Sequence, residues 1–144
     1  MVRKEALENH TLSVDLMELR DLARRREKLT DQVTKLKGNM KRILSVTFPE
    51  LEHLTGVFAK SILELLIRFP SADALRKADV DTVADLVVPR SWGKKSRAWV
   101  ESLMATASSS VGVSSPAKEL VLRQDASLLL YVQEQIKETT KRVS

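Results

Sequence analysis

The sequence predicts an all-α fold, with two long helices forming a coiled-coil stalk and bracketing a small helical lobe. Three observations predict it. From Leu19, alternate steps of three and four reach Leu22, Arg26, Leu29, Val33, Leu36, Met40 and Ile43, all apolar except Arg26. That spacing is a heptad seam held over about three and a half repeats. A second, less apolar seam runs through Leu122, Ala126, Leu129, Gln133, Ile136, Thr140 and Val143. Finally, aromatic residues make up 4% of the chain, and its 144 residues include 4 Gly and 4 Pro. So few turn formers and aromatics exclude a barrel or sandwich. At 43% hydrophobic and 30% charged, the chain has material for one ordinary domain with a real core.

Taken in order, residues 1–12 read as an N-terminal tail and residues 13–45 as the long coiled-coil helix, with Ser13 as a plausible N-cap. A helix of that length spans about 48 Å and cannot bury a narrow seam alone, so it needs a partner helix. Gly38 and Asn39 weaken it locally, by about 1 kcal/mol at the glycine. Phe48-Pro49 ends it, because the residue before proline is biased away from helical geometry. Residues 46–113 form the lobe, divided by Pro49, Pro70 and Pro89 into short helices. Val57–Phe69 is one, Ser71 caps a second, Asp79 or Asp81 caps a third, and a turn at Trp92-Gly93 leads into a fourth over Lys94–Ser109. All three Phe and both Trp fall between positions 48 and 99, which places the compact core there. Residues 114–144 return as a second long helix, with Ser115 as cap and Pro116 at its first position.

The formal charge of +5 is modest, but its placement is uneven. Arg20–Arg42 carries nine basic residues against three acidic, and Arg76–Arg97 six against three. Within the first run, Arg24, Arg25, Lys35 and Lys41 read either as a nucleic-acid-facing edge or as a solvated coiled-coil face. Arg26 lies on the seam, where a polar residue fixes register and partner number. In the second run, Arg90, Lys94, Lys95 and Arg97 surround a glycine-containing turn that opens a helix. Backbone N–H groups and cations would meet there, as in a helix-hairpin-helix corner that binds phosphate. Cations in a first helical turn oppose the helix dipole, so stability alone does not account for them.

Other chemistry has little material. The absence of Cys excludes disulfides, thiol catalysis and cysteine-bound metal. His10 and His53 lie in separate segments, Asp79, Asp81 and Asp85 read as helix-start acids, and the serines of 108–115 read as a turn. No metal, cofactor, small-molecule substrate or catalytic residue is expected. The longest apolar run is Leu128–Val132, far below the roughly 20 residues of a membrane span. The first residues show no secretory signal, so no membrane partner is expected and an intracellular, cytoplasmic location is.

One family resembles this chain over about residues 15–140. The residues that carry the likeness are Leu19–Leu29, Thr34–Leu44, Phe48-Pro49-Glu50-Leu51, Arg68-Phe69-Pro70 with Ser71-Ala72-Asp73-Ala74-Leu75, and Gly93-Lys94-Lys95-Ser96-Arg97 leading into a helix and a Ser-rich turn. They resemble the middle, coiled-coil region of the DEDD-type insertion-sequence transposases of the one-ten family, which are RNA-guided recombinases. In that family a RuvC-like nuclease domain precedes the coiled coil and a domain with a serine nucleophile follows it. Neither has a counterpart here, so no catalytic acid and no nucleophilic serine maps onto this sequence. The resemblance implies an excised or truncated module, inert as an enzyme, in a bacterial or archaeal cytoplasm at the nucleoid. It would form a homodimer through Leu19, Leu22, Arg26, Leu29, Val33, Leu36, Met40 and Ile43, and lend auxiliary DNA or RNA contact in DNA transposition. Two alternatives stand beside it: a stand-alone helical nucleic-acid-binding protein, and a coiled-coil scaffold or adaptor.

Overall fold

The computed structural model describes the backbone of residues 2–143 and the side chains of residues 13–143. Seven helices and no strand are found among the described residues: α1 (Val2–Thr47), α2 (Leu51–Leu54), α3 (Lys60–Arg68), α4 (Ala72–Arg76), α5 (Val80–Arg90), α6 (Arg97–Ser108) and α7 (Pro116–Val143). Helix α1 starts at Val2, so residues 2–12 are helix rather than tail, and Ser13 lies inside it instead of capping it. The physical reason is composition: Arg3-Lys4-Glu5-Ala6-Leu7-Glu8 are strong helix formers, and no Pro or Gly precedes Gly38. The helix also passes Gly38 and Asn39 unbroken, where Arg42 Nη2 donates to Asn39 Oδ1 at 2.6 Å. It ends, as expected, before Pro49.

The chain divides into two compact units, Met1–Thr34 with Val132–Ser144, and Lys35–Tyr131. The larger unit holds most of the core. Helix α3 packs against α5, α4 and α5 against α6, and α2 touches α6. The core is aliphatic: Met40, Leu44, Leu51, Ile62, Leu63, Leu65, Leu66, Leu75, Leu103, Leu122 and Leu129 are fully buried, and Phe48 is the one fully buried aromatic among them. Each such side chain contributes on the order of 1.5–3 kcal/mol by leaving water. The core therefore draws on the last turns of α1 and the first half of α7, which the expected lobe boundaries of 46 and 113 leave out. A stretch of 68 residues divided among five short helices has too little apolar surface to close on itself without those two walls. Nor do the tryptophans belong to it: Trp92 is 91% exposed and Trp99 half-buried.

Polar contacts fix the turns. Ser71 caps α4, its Oγ accepting from Ala74 N–H at 3.0 Å while its hydroxyl donates to Glu119 on α7. Arg76 reaches from α4 to the end of α6, donating from Nε to the Ala107 carbonyl and from Nη2 to the Ser110 carbonyl, each at 2.9 Å. Helix α6 has no basic residue in its own last turn, and Arg76 supplies the cation that its open carbonyls favour. Glu50 accepts from the Ser110 hydroxyl and from Val111 N–H. Val113 N–H donates to the Val46 carbonyl at 2.8 Å. Between them, Gly112 lies so close to α1 that a Cβ there would fall 2.3 Å from the Thr47 carbonyl oxygen.

In the smaller unit, Leu29 and Val132 are each 3% exposed, and Leu22, Val33, Gln133 and Ile136 are half-buried. Val143 shares a shallow concavity with Ala23, Arg26, Glu27, Thr30 and Asp31. Val14, Leu16, Met17 and Leu19, by contrast, stay open to solvent at 39–63%.

Gly112→Ala is expected to destabilise the protein by about 1–3 kcal/mol in urea unfolding, since backbone must move to admit the methyl. Gly56→Ala, which meets open space, serves as its near-neutral control. Two carboxylates carry opposite pH signatures. Burial pushes Glu50 up, but the Ser110 and Val111 hydrogen bonds and the nearby Arg76 outweigh it and hold Glu50 below its usual value. Its stabilising contribution is present above the ordinary Glu pKa and is lost as pH falls through the lowered one. Asp125 is pushed up by burial, with Oδ2 buried and without a hydrogen-bond partner among the described residues. It therefore opposes folding at neutral pH, and that opposition fades as pH falls through its raised pKa. In thermal melts at neutral pH, Glu50→Gln should lower the midpoint and Asp125→Asn should raise it.

Candidate nucleic-acid interface

The turn between α5 and α6 is built by two serines. Ser91 is 5% exposed, and its hydroxyl donates to the Val88 carbonyl at 2.9 Å while accepting from Lys95 N–H at 3.1 Å. Lys94 N–H donates to the Ser91 carbonyl at 3.1 Å, closing a four-residue turn. The two central residues are both left-handed, Trp92 at φ 54° and Gly93 at φ 79°. Glycine adopts that geometry freely, whereas a bulky side chain there is strained. Ser96 then caps α6, its Oγ accepting from Trp99 N–H at 3.3 Å.

Helix α6 begins at Arg97 rather than Lys94, because Ser96 is the better cap. Lys94 and Lys95 thus precede the helix and sit in the turn itself. The N–H groups of Lys94, Lys95 and Trp99 are all taken inside the turn and cap, which removes most of the backbone phosphate cradle expected from the sequence.

The four cations of this corner sort into two kinds. Arg90 is paired with Glu64 and also donates to the Leu86 carbonyl at 3.0 Å. Arg97 is paired with Asp81 and lies 3.7 Å from Glu101, and the Asp81 hydrogen bond holds its proton more firmly. Both arginines therefore fasten helices together: α5 to α3, and α6 to α5. Lys94 is exposed and takes part in no ion pair among the described residues. Lys95 is half-buried with Nζ 5.2 Å from the centre of the Trp99 ring, and burial, aided by repulsion from Lys94, lowers its pKa. A pocket beside Arg90, lined also by Arg68, Thr82, Asp85 and Leu86, has Asp85 to offset its cations and makes no anion site of its own.

On α1, Arg24, Arg25 and Lys35 are exposed and none is ion-paired among the described residues. Lys41 is partly engaged, with Nζ 5.8 Å from the centre of the Phe58 ring beside Lys37 at 5.1 Å. Arg20, Arg24 and Lys28 recur at four-residue steps, an arrangement of like charges that weakens a helix.

The expected dimer seam divides along its length. Leu29, Leu36 and Met40 are 3%, 8% and 0% exposed inside the single chain, so these three are not available as knobs for a second copy. Leu22, Val33 and Ile43 are half-buried, and only Leu19 and Arg26 stand exposed. The chain covers its own seam at Leu29, Leu36 and Met40, since all three are buried with no second copy present. Grouping both tryptophans with the core also misses that Trp92 is the most exposed large apolar residue described. Its signal was the glycine that follows it, since a tight turn turns its first central side chain outward.

No group of His, Cys, Asp or Glu suited to a metal occurs among the described residues, and none of their helices is long and apolar enough to cross a membrane. In urea unfolding, Trp92→Gly is expected to stabilise the protein by about 1 kcal/mol by relieving the left-handed strain, and Gly93→Ala to destabilise it by a similar amount. Compared with known proteins, the chain matches no family model, no curated protein and no solved structure.

Proposed function

We propose that this chain is a non-catalytic helical module that joins copies of itself and contacts the nucleic-acid backbone, in the manner of the middle region of a transposase. In this reading it carries no chemistry of its own, and serves DNA transposition through assembly and DNA or RNA contact. The transposase setting rests on the sequence resemblance alone. The nucleic-acid contact rests on one observation: a group of exposed cations on α1, Arg20, Arg24, Arg25 and Lys28, standing without ion pairs among the described residues. Like charges at i and i+4 cost the helix stability, and phosphates laid along that face would relieve the repulsion. Such contacts position a nucleic acid without reading its sequence.

Within the smaller unit, Val143 lies beside Ala23–Asp31, which favours α1 and α7 as the two strands of a helical stalk. Joining copies would use the part of α1 that the chain leaves uncovered, where Leu16 and Leu19 share a face three residues apart. That is a shorter seam than the one read from the sequence, and it lies N-terminal to Leu29.

Light scattering coupled to gel filtration should give a dimer at tens of micromolar, and Leu16→Asp with Leu19→Asp should give a folded monomer. A monomeric parent protein would refute the joining role. Gel shifts at low salt should show binding to both duplex DNA and structured RNA, falling steeply with added salt. Arg24→Glu with Arg25→Glu should weaken both about equally and flatten the salt dependence. Unchanged affinity in that variant would refute the α1 contact.

A further inference from the structure

The turn at 91–94 has features that folding does not explain. Trp92 is 91% exposed and held at φ 54°, so it neither fills the core nor rests in a relaxed backbone. A single exposed apolar side chain is ordinary on a protein surface. One held in a strained turn is not, because glycine would serve the turn better and the strain persists only where its surroundings enforce it. Those surroundings are firm. Ser91 is buried and bonded to Val88 and Lys95, Arg90 is tied to Glu64 on one flank, and Arg97 is tied to Asp81 on the other. The indole is therefore presented on a rigid tip. Beside it stand Lys94 and Lys95, adjacent in sequence and without carboxylate partners among the described residues.

An aromatic plane and two ammonium groups that no carboxylate neutralises among the described residues, one of them over the Trp99 ring, match the chemistry of an unpaired nucleotide, which offers a base to stack and flanking phosphates to neutralise. Within a duplex the base faces are already stacked on one another, and the tip would gain only phosphate contacts. A protein partner would be expected to surround the tip with further apolar surface, but Ser91 is buried, and Gly93, Lys94, Ser96 and Arg97 all carry no apolar bulk. We infer that Trp92 is a stacking platform for an unpaired base, with Lys94 and Lys95 holding the adjoining phosphates. This deepens the nucleic-acid contact proposed above and rests on it, adding a base-contacting element at the α5–α6 turn to the phosphate contacts of α1.

The test uses the full chain and short oligothymidylate and oligouridylate as probes, with a duplex of equal length for comparison. Fluorescence anisotropy of labelled probes should show the single strands bound more tightly by the parent protein than by Trp92→Ala. The expected loss is between about 5- and 150-fold, the worth of one stacked base. Trp92→Phe should retain most of the affinity, and Lys94→Glu with Lys95→Glu should lower it and reduce the salt dependence. In a Trp99→Phe background, checked by circular dichroism for intact folding, emission from Trp92 should be quenched by the single strands with the same midpoint. Comparing the two probes tells DNA from RNA. Equal single-strand affinity of Trp92→Ala and parent would overturn the stacking role while leaving the α1 contact standing. Equal quenching by the duplex would overturn the preference for unpaired bases. Binding of none of the three at low salt would overturn the nucleic-acid reading altogether and leave the tip to a protein partner.

Discussion

The larger unit depends on one close approach, that of the chain at Gly112 to the end of α1. Five short helices have little apolar surface each, and they form a core only when α1 and α7 close on them. That closure requires the α6–α7 turn to lie directly on the Thr47 carbonyl, where no side chain fits. The neighbouring contacts serve the same end. Val113 bonds to Val46, Glu50 takes the Ser110 hydroxyl and the Val111 N–H, and Arg76 holds the Ser110 and Ala107 carbonyls. Each is modest alone, worth about 1 kcal/mol for a neutral bond and somewhat more with a charged partner. Together they fix where α7 begins, and so which of its faces turns inward.

Charge in this protein divides by geometry rather than by residue type. Arg76, Arg90 and Arg97 are used internally, each bridging two helices with the planar, multidentate bonding that lysine lacks. Lys94 and the α1 cations Arg20, Arg24, Arg25 and Lys28 are left facing outward. A count of basic residues over 76–97 therefore overstates the positive field at that corner, because four of its six members, Arg76, Lys77, Arg90 and Arg97, are paired with carboxylates. What remains there is a smaller, sharper feature: two lysines and an indole on a stiff tip.

Much of the fold was legible in the sequence. The heptad spacing marked α1, Pro49 marked its end, Ser71 and Ser115 marked two helix starts, and Gly93 marked the turn. Periodicity reports that a face is apolar but not what covers it. For that reason the same seam suggested a second copy of the chain, whereas Leu29, Leu36 and Met40 are covered from within. Aromatic residues misled in a similar way: grouping Trp92 with the core assumed that size implies burial, and its backbone geometry decides otherwise. The pattern starts α6 at Lys94, three residues early, because two serines compete for the turn, and only the positions of their hydroxyls show that Ser91 closes it and Ser96 caps the helix. The ion pairs of Arg90 and Arg97 join residues 26 and 16 positions apart, beyond the reach of any local pattern.

The approach at Gly112 is also one-sided. Thr47 contributes only its carbonyl to that contact, and every amino acid has one, whereas position 112 contributes the absence of a side chain, which a single amino acid provides. Drift in this lineage should therefore be asymmetric: small residues can replace one another at 47, while 112 stays fixed. A scan for co-varying pairs would find no partner for the invariant site, though the two backbones touch.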